Sequence, residues 1–182
     1  MGSYAVFLRG VNVGGINIKM ADLRNALNDS GFADAKTLLA SGNVVLTSSL
    51  DAAGVKRGTE KCLRAAFGYE AWVVVVEAGR VAELVDACPY PEDDKSTHTY
   101  ITFSSDAAVL DELEAAGAAI DGQNQRRLGP EALAWLAPVG GTLDSPFSKV
   151  SSKSRFKAAT TTRNLRTLIK VRDAAAALAQ AA

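Results

Sequence analysis

Residues 4–10 read Tyr-Ala-Val-Phe-Leu-Arg-Gly, an apolar run rich in strand-forming side chains that ends at a glycine. This run predicts a buried β-strand, and Met20, Leu23 and Leu27 then recur at helical spacing. Strand, helix, strand, strand, helix and strand patterns follow one another over residues 4–8, 20–27, 36–39, 44–47, 55–67 and 72–76. This order predicts the ferredoxin-like arrangement, in which helices cover one face of an antiparallel sheet.

The second half of the chain repeats this order of elements. Its patterns are a short helix over 80–87, a strand over 97–103, a helix from Asp106 to about 116 that Gly117 ends, strands over 119–128 and 132–137, and a long helix over 163–181. We therefore predict an α+β protein of two ferredoxin-like βαββαβ halves, each an antiparallel sheet with helices on one face. The predicted division is an N-terminal half over 1–78, a connecting helix and linker over 79–96, and a C-terminal half over 97–182 that holds a basic segment and the terminal helix.

Composition predicts a cytoplasmic globular protein. With 182 residues, 48% of them apolar and 22% charged, the chain has enough apolar side chains for a core. Its start shows no secretory signal, and its longest apolar run, 71–76, is too short to cross a bilayer. Cys62, Cys88 and the single His98 lack the clustering that a metal site requires. We therefore expect no membrane partner and no metal, and the sequence points to no particular cofactor or catalytic residue.

The strongest functional indication is an uneven distribution of charge. The chain has 20 basic and 20 acidic residues, yet the segment from Ser145 to Arg172 contains no acidic residue. Its eight cations are Lys149, Lys153, Arg155, Lys157, Arg163, Arg166, Lys170 and Arg172. We call residues 145–172 the basic segment. Such a segment attracts anionic partners, although a run of charge is also typical of a solvated helix face.

Within the basic segment, Thr161 or Thr162 is a predicted N-cap of the last helix, so that the amides beside Arg163 and Asn164 would face an anion. Lys149, Lys153 and Arg155 precede this point in a serine-rich stretch. We expect that stretch to be flexible and to fold over a bound phosphate.

Two further segments are candidates for the same ligand. Arg9 stands before a loop containing Asn12, Gly14 and Gly15, whose amides are suited to an anion nest. The loop matches neither the Walker A motif nor the dinucleotide fingerprint, and a structural loop with Asn12 capping a turn is the alternative. Ser41-Gly42-Asn43 lies between two predicted strands, where a tight turn explains all three residues.

Four motifs in this order resemble a bacterial family of proteins, the domain of unknown function 1697. They are residues 4–15, Met20-Ala21-Asp22-Leu23-Arg24, Ser41-Gly42-Asn43-Val44-Val45 and Thr161-Thr162-Arg163-Asn164. The resemblance implies an α+β fold of two ferredoxin-like halves and no established activity, substrate or catalytic residue. The chain departs from the family pattern at Leu165, where tryptophan is common, and at Leu39-Ala40, where a polar residue usually precedes the turn.

The leading hypothesis is a cytoplasmic anion-binding protein whose partner is a phosphate-bearing small molecule or a nucleic acid. Its candidate ligand-binding residues are Arg9, Asn12, Gly14, Gly15, Ser41, Asn43, Lys149, Lys153, Arg155, Thr162, Arg163 and Asn164. Guanidinium and amide groups of this kind bind phosphate oxygens. The alternatives are a small-molecule enzyme with its site in a cleft between the halves, and an interaction module that docks its basic end on an acidic protein.

Overall fold

The computed structural model of the chain describes residues 1–12, 17–32, 34–68, 70–92, 94–157 and 159–181, with the backbone alone at 157 and 181. The elements in chain order are β1 (Gly2–Leu8), α1 (Met20–Asp29), β2 (Lys36–Leu38), β3 (Asn43–Ser48), α2 (Ala52–Phe67), β4 (Val73–Glu77), α3 (Ala78–Ala87), β5 (Thr97–Ser104), α4 (Ala107–Ala118), β6 (Gln125–Gly129), β7 (Ala132–Pro138), α5 (Pro146–Ser151), α6 (Ser154–Lys157), β8 (Thr160–Asn164) and α7 (Leu165–Ala181). In this described part of the chain, no helix is both long and apolar enough to cross a membrane.

The chain divides into two compact units. Unit 1 contains residues 1–82 together with 169–182, and unit 2 contains residues 83–168. The boundaries between the two units therefore fall inside α3 and inside α7.

Unit 1 is built on a four-stranded antiparallel sheet with the strand order β2-β3-β1-β4. Val6 lies in the centre of the sheet, opposite Val44 on β3 and Val75 on β4. The core cluster on this face includes Leu23 of α1 and Leu63 of α2, both fully buried. Helix spacing brings apolar side chains of α1 and α2 to one stripe each, and burying those stripes on the sheet holds the unit together. The ferredoxin-like prediction for this half is confirmed.

Unit 2 has the same topology, with the strand order β6-β7-β5-β8. Its core cluster joins Leu110 and Leu113 of α4 to Trp135 of β7 and to Phe147 and Phe156. The ring centroids of Trp135 and Phe147 lie 4.7 Å apart, within the range of favourable aromatic pairs. The prediction of a second ferredoxin-like half is confirmed too.

Two boundaries predicted for unit 2 were wrong. The chain turns at 119–124, so β6 begins at Gln125 and not at Ala119. Gly117 does not end α4 but lies inside it, buried against Phe147 and Gln125. The apolar run Ala118-Ala119-Ile120 is typical of a strand, which explains the wrong prediction. In the structure the amide of Ala119 donates to the carbonyl of Ala115, and the amide of Ile120 donates to that of Gly117, so these residues complete the end of the helix.

Candidate functional site

The loop after β1 contains Asn12, whose side chain is hydrogen-bonded to the backbone of the chain itself. Asn12 has a left-handed backbone with φ +58°. Its Oδ1 accepts the amide of Ile18 at 2.9 Å, and its Nδ2 donates to the carbonyl of Ala40 at 2.6 Å and to that of Ile18 at 3.3 Å. Asn12 therefore closes the base of the loop and ties it to the β2–β3 turn. Gly14 and Gly15, the residues of the expected anion nest, lie outside the described residues.

Arg9 precedes this loop at the edge of the unit 1 core. Its backbone amide donates to the carbonyl of Trp72 at 3.0 Å, which extends the pairing of β1 with β4 by one residue. The Arg9 side chain is partly buried, and this burial lowers the pKa of its guanidinium. An arginine titrates so far above neutral pH that the group stays cationic.

Ser41 and Gly42 lie in the turn of the β2–β3 hairpin, as the turn interpretation predicted, and Asn43 is the first residue of β3. Gly42 has φ +75°, and a Cβ there would lie 2.9 Å from the Cβ of Leu8, so only glycine fits this approach. Asn43 is fully buried and donates from Nδ2 to the carbonyl of Leu38 at 2.9 Å and to Oγ of Ser41 at 3.0 Å. The side-chain amide of Asn43 thus makes its hydrogen bonds within the hairpin.

The serine-rich part of the basic segment is not the flexible stretch that we expected. It contains the short helices α5 and α6, anchored by Phe147 and Phe156, which are both fully buried. The hydroxyls of Ser151 and Ser152 donate to the carbonyls three residues before them, at 3.1 and 3.0 Å. Two buried rings and these local bonds fix the segment, so it occupies the place of the second helix in the ferredoxin-like plan.

Lys149, Lys153 and Arg155 are exposed on this fixed segment, and we call these three residues the α5–α6 surface. Within the described ranges, none of the three has a carboxylate partner. The guanidinium carbon of Arg155 lies 4.5 Å from the ring centroid of Phe156, so it rests against an aromatic face. The three cations thus lie on one short segment of unit 2 and are exposed to solvent.

Thr162, Arg163 and Asn164 do not form the predicted start of the last helix. They belong to β8, where Thr162 pairs with Thr102 and Arg163 pairs with Ile101 on β5. Their amides are therefore part of a sheet, and the helix begins only at Leu165. Asn164 caps α7, because its Oδ1 accepts the amide of Arg166 at 2.9 Å.

Arg163 is buried, with 7% of its surface exposed. One of its terminal nitrogens donates to Oγ1 of Thr161 at 2.7 Å and to the carbonyl of Thr162 at 2.8 Å. The i, i+3, i+7 spacing of Arg163, Arg166 and Lys170 suggested a helix, but three consecutive β-branched threonines favour a strand. Arg163 therefore helps to hold the sheet edge.

The predicted residues are divided between the units. Arg9, Asn12, Ser41 and Asn43 lie in unit 1, whereas Lys149, Lys153, Arg155, Thr162, Arg163 and Asn164 lie in unit 2. Sequence reasoning missed Phe147 and Phe156 as the anchors of the α5–α6 surface. Ser145-Pro146 was the available signal, because serine at the N-cap and proline at the first position mark a helix start, and Oγ of Ser145 indeed accepts the amide of Ser148.

Titratable groups elsewhere provide no metal site, since the described residues include no group of three or more His, Cys, Asp or Glu side chains that could hold an ion. Cys62 and Cys88 are free thiols. Burial raises the pKa of the Cys88 thiol, which therefore stays protonated at neutral pH.

Comparison with known proteins identifies the family and the fold. No curated protein matches the chain. A conserved bacterial protein from Streptococcus pneumoniae, SP0830, superimposes with a TM-score of 0.78 at 18% identity, over 96% of this chain and 98% of that one. An unknown protein from Galdieria sulphuraria covers 90% of this chain and 98% of its own at 11% identity, but its TM-score of 0.26 carries no argument.

The first of these likenesses confirms the fold alone, because the identity is low. The sequence pattern of DUF1697, described as a protein of unknown function, matches residues 1–133. This match covers the whole of the unit 1 sheet and, in unit 2, the strands β5 and β6 and the start of β7. The chain therefore belongs to the DUF1697 family.

Proposed function

We propose that this protein binds phosphate-bearing polyanions, with single-stranded nucleic acid as the partner class, and that the α5–α6 surface of unit 2 makes the contact. The observation that carries the proposal is the group of three exposed cations, Lys149, Lys153 and Arg155, without a carboxylate partner in the described part of the chain. As part of the same proposal the protein is cytoplasmic, which agrees with its two free thiols.

Unpaired, solvated cations are available to a ligand without first breaking an ion pair. Arg127 shows the contrast within the same unit, because its guanidinium donates to Asp111 at 2.9 Å and to Glu114 at 3.0 Å. An anion that approached Arg127 would have to displace two carboxylates. An anion that approaches Lys149 or Lys153 displaces only water and counterions.

The fixed backbone of the segment favours binding as well. Because Phe147 and Phe156 are fully buried, α5 and α6 hold their cations on an ordered support. Less conformational entropy is then lost when a ligand engages all three side chains. Arg155 adds a planar group that binds phosphate oxygens in pairs.

A polyanion fits this surface better than a single phosphate. An exposed ion pair contributes only about 0–1 kcal/mol, so one phosphate would gain little from any one of these side chains. A nucleic acid offers consecutive phosphates and releases condensed counterions as each is neutralised. The affinity then rises with the number of cations engaged together.

The test is fluorescence anisotropy with a labelled single-stranded oligonucleotide of mixed sequence, titrated over a series of salt concentrations. Three phosphate contacts on a single strand predict that log K falls against log salt with a slope of about −2. The triple variant Lys149→Gln, Lys153→Gln, Arg155→Gln should bind weakly and with a slope near zero. The matched control Arg24→Gln, Lys36→Gln, Arg57→Gln removes three exposed cations of unit 1 and should keep the native slope.

Two results would count against this function. Binding that is absent at low salt, or that does not depend on salt, excludes the nucleic-acid contact. Equal losses in the triple variant and its control would show that net charge alone matters and that the α5–α6 surface has no special role. Thermal-shift measurements with inorganic phosphate and ATP distinguish a small ligand, because tight binding of either would raise the melting temperature in a saturable way.

A further inference from the structure

Unit 1 contains a cavity of about 690 Å³ that the anion-binding proposal does not use. It lies beside the end of α1, the end of β3 and the middle of α2, and it is open on one side. Its volume falls within the roughly 300–1,000 Å³ that is usual for small-molecule sites.

Two glycines shape this cavity. Gly31 has φ +90°, which lets the chain turn sharply after α1 and form one wall. Gly58 faces Phe32 from α2, and a Cβ there would lie 2.7 Å from Cζ of the ring. The missing side chain therefore lets the Phe32 ring pack directly against the helix, where it forms an apolar part of the lining.

The rest of the lining combines apolar atoms with one charged side chain, Lys61, and with the hydroxyl side chains Ser30, Thr47, Ser48 and Ser49. Leu50 and Cys62 contribute apolar atoms, and Leu50 is 49% exposed. The thiol of Cys62 donates to the carbonyl of Ala26 at 3.2 Å.

Lys61 provides the positive charge. It is exposed at the cavity, and no carboxylate in the described ranges pairs with it. Arg57 lies one helical turn before it on α2, whereas Arg64, one turn after it, is paired with Glu70 at 3.5 Å. Ser48 also lines the cavity, and since its Oγ accepts the amide of Leu50 at 3.1 Å, the hydroxyl proton remains available to a ligand.

We propose that this cavity binds a small organic carboxylate with an apolar body. Lys61 and the hydroxyl of Ser48 receive the carboxylate, while Phe32 and Leu50 contact the apolar body. One charged side chain beside hydroxyls and the apolar atoms of Phe32 and Leu50 matches a monoanion better than a multiply charged phosphate ester. The site is in unit 1 and shares no residue with the α5–α6 surface, so the failure of either proposal leaves the other standing.

The experiment titrates the protein with phenylacetate and octanoate as probes and follows backbone amide shifts by NMR. We expect saturable shifts at Ser48, Leu50 and Lys61, and at least about tenfold weaker binding of the neutral phenylacetamide, as the loss of a charged hydrogen bond predicts. Lys61→Gln should weaken the binding of phenylacetate by a similar factor. Arg57 is on the same helix but does not line the cavity, so Arg57→Gln should change the affinity for phenylacetate by less than about twofold.

A second pair of variants tests the location of the binding site by filling the cavity with a larger side chain. Ala65 lines the cavity and is exposed on α2, whereas Ala66 is exposed next to it and does not line the cavity. Ala65→Leu should abolish the shifts, and Ala66→Leu should preserve them. Both substitutions keep a good helix former at an exposed position, and a thermal melt of each variant verifies folding.

Thiol labelling gives an independent readout. In a Cys88→Ser background, phenylacetate should slow the reaction of Cys62 with methyl methanethiosulfonate several-fold, because the thiol lies in the cavity wall. The proposal is overturned if neither probe shifts these amides up to its solubility limit. Equal losses in Lys61→Gln and Arg57→Gln, or in the two leucine variants, would overturn it as well.

Discussion

Units 1 and 2 share a sheet topology but differ in the second helix of the ferredoxin-like plan. In unit 1 this helix is α2, a continuous helix of 16 residues between the N-cap Asp51 and the left-handed Gly68. In unit 2 the same place is taken by α5 and α6, of six and four residues, with Ser152-Lys153 between them. The shorter helices leave more of the backbone in turns.

Charge pairing differs in part: two cations of α2 are paired with carboxylates, whereas Lys61 has no carboxylate partner in the described part of the chain. On α2, Lys56 lies 2.5 Å from Glu60, and Arg64 lies 3.5 Å from Glu70. Lys149, Lys153 and Arg155 of the α5–α6 surface have no such partner in the described ranges. Buried apolar residues therefore determine the topology of both units, whereas the exposed residues at equivalent places are free to diverge and to acquire different partners.

The largest expected effect breaks the anchor of α5. Phe147→Ala removes a fully buried ring that packs on Trp135, and it should cost about 3–5 kcal/mol of unfolding free energy. The matched change in α2, Leu63→Ala, should cost about 2–5 kcal/mol. Urea unfolding measures both, with tryptophan fluorescence from Trp72 in unit 1 and Trp135 in unit 2. A cost below about 1 kcal/mol for Phe147→Ala would mean that α5 is not anchored by this ring.

A smaller effect on stability is expected at two helical glycines that face phenylalanine rings, Gly117 and Gly58. A Cβ at Gly117 would meet Oε1 of Gln125 and lie 2.5 Å from Cε2 of Phe147, so Gly117→Ala should destabilise by about 1–3 kcal/mol. A Cβ at Gly58 would meet only Phe32, and alanine regains helix propensity, so Gly58→Ala should cost less than about 1 kcal/mol. Thermal and urea unfolding measure the pair.

Gly79→Ala is the control for these glycines, because no atom outside the immediate chain lies within 4 Å of a Cβ there. It should be neutral or stabilising by up to about 1 kcal/mol. If Gly58→Ala proved as costly as Gly117→Ala, the packing of the two units would be equally tight at these helices.

A still smaller effect on stability is expected when the N-cap of α2 or of α5 is removed. Asp51→Ala removes the acceptor of the Gly54 amide at 2.7 Å, and Ser145→Ala removes the acceptor of the Ser148 amide at 3.2 Å. Each should cost about 1 kcal/mol of stability. Only Ser145→Ala should also weaken oligonucleotide binding, about two- to threefold, since it loosens the helix that carries Lys149. Equal weakening by both variants would contradict this separation.

Much of unit 1 was predictable from the sequence, because the strand at residues 4–8 is a continuous apolar run and α1 has a clear apolar stripe. The helices α5 and α6 were not predicted, since Phe147 and Phe156 are nearly the only large apolar residues among serines and lysines. The strand β8 was not predicted, because Arg163 has a helical spacing to Arg166 and Lys170 of α7. The exposure of Lys149, Lys153 and Arg155 could be anticipated, but whether a carboxylate among the described residues pairs with them depends on tertiary neighbours.

The smallest effect concerns the carboxyl of Asp94 at the entry to β5. Hydrogen bonds from the hydroxyl and amide of Ser96 lower the pKa of the exposed Asp94 carboxyl. The contribution of this carboxyl to stability is therefore present above its ordinary pKa of about 3.9 and is lost as pH falls through the lowered value. Ser96→Ala should raise the Asp94 pKa toward its ordinary value, as measured by NMR titration of the carboxyl carbon. An unchanged pKa would show that the serine hydroxyl has no part in the shift.

The central claim is that the α5–α6 surface contacts nucleic-acid phosphates, and backbone amide NMR with an unlabelled single-stranded oligonucleotide at low salt tests it most directly. The account predicts that the shifts concentrate in residues 146–157, diminish with added salt and disappear in the Lys149→Gln, Lys153→Gln, Arg155→Gln variant. Shifts that leave 146–157 unchanged while affecting another part of the chain, or no shifts at all, would contradict it.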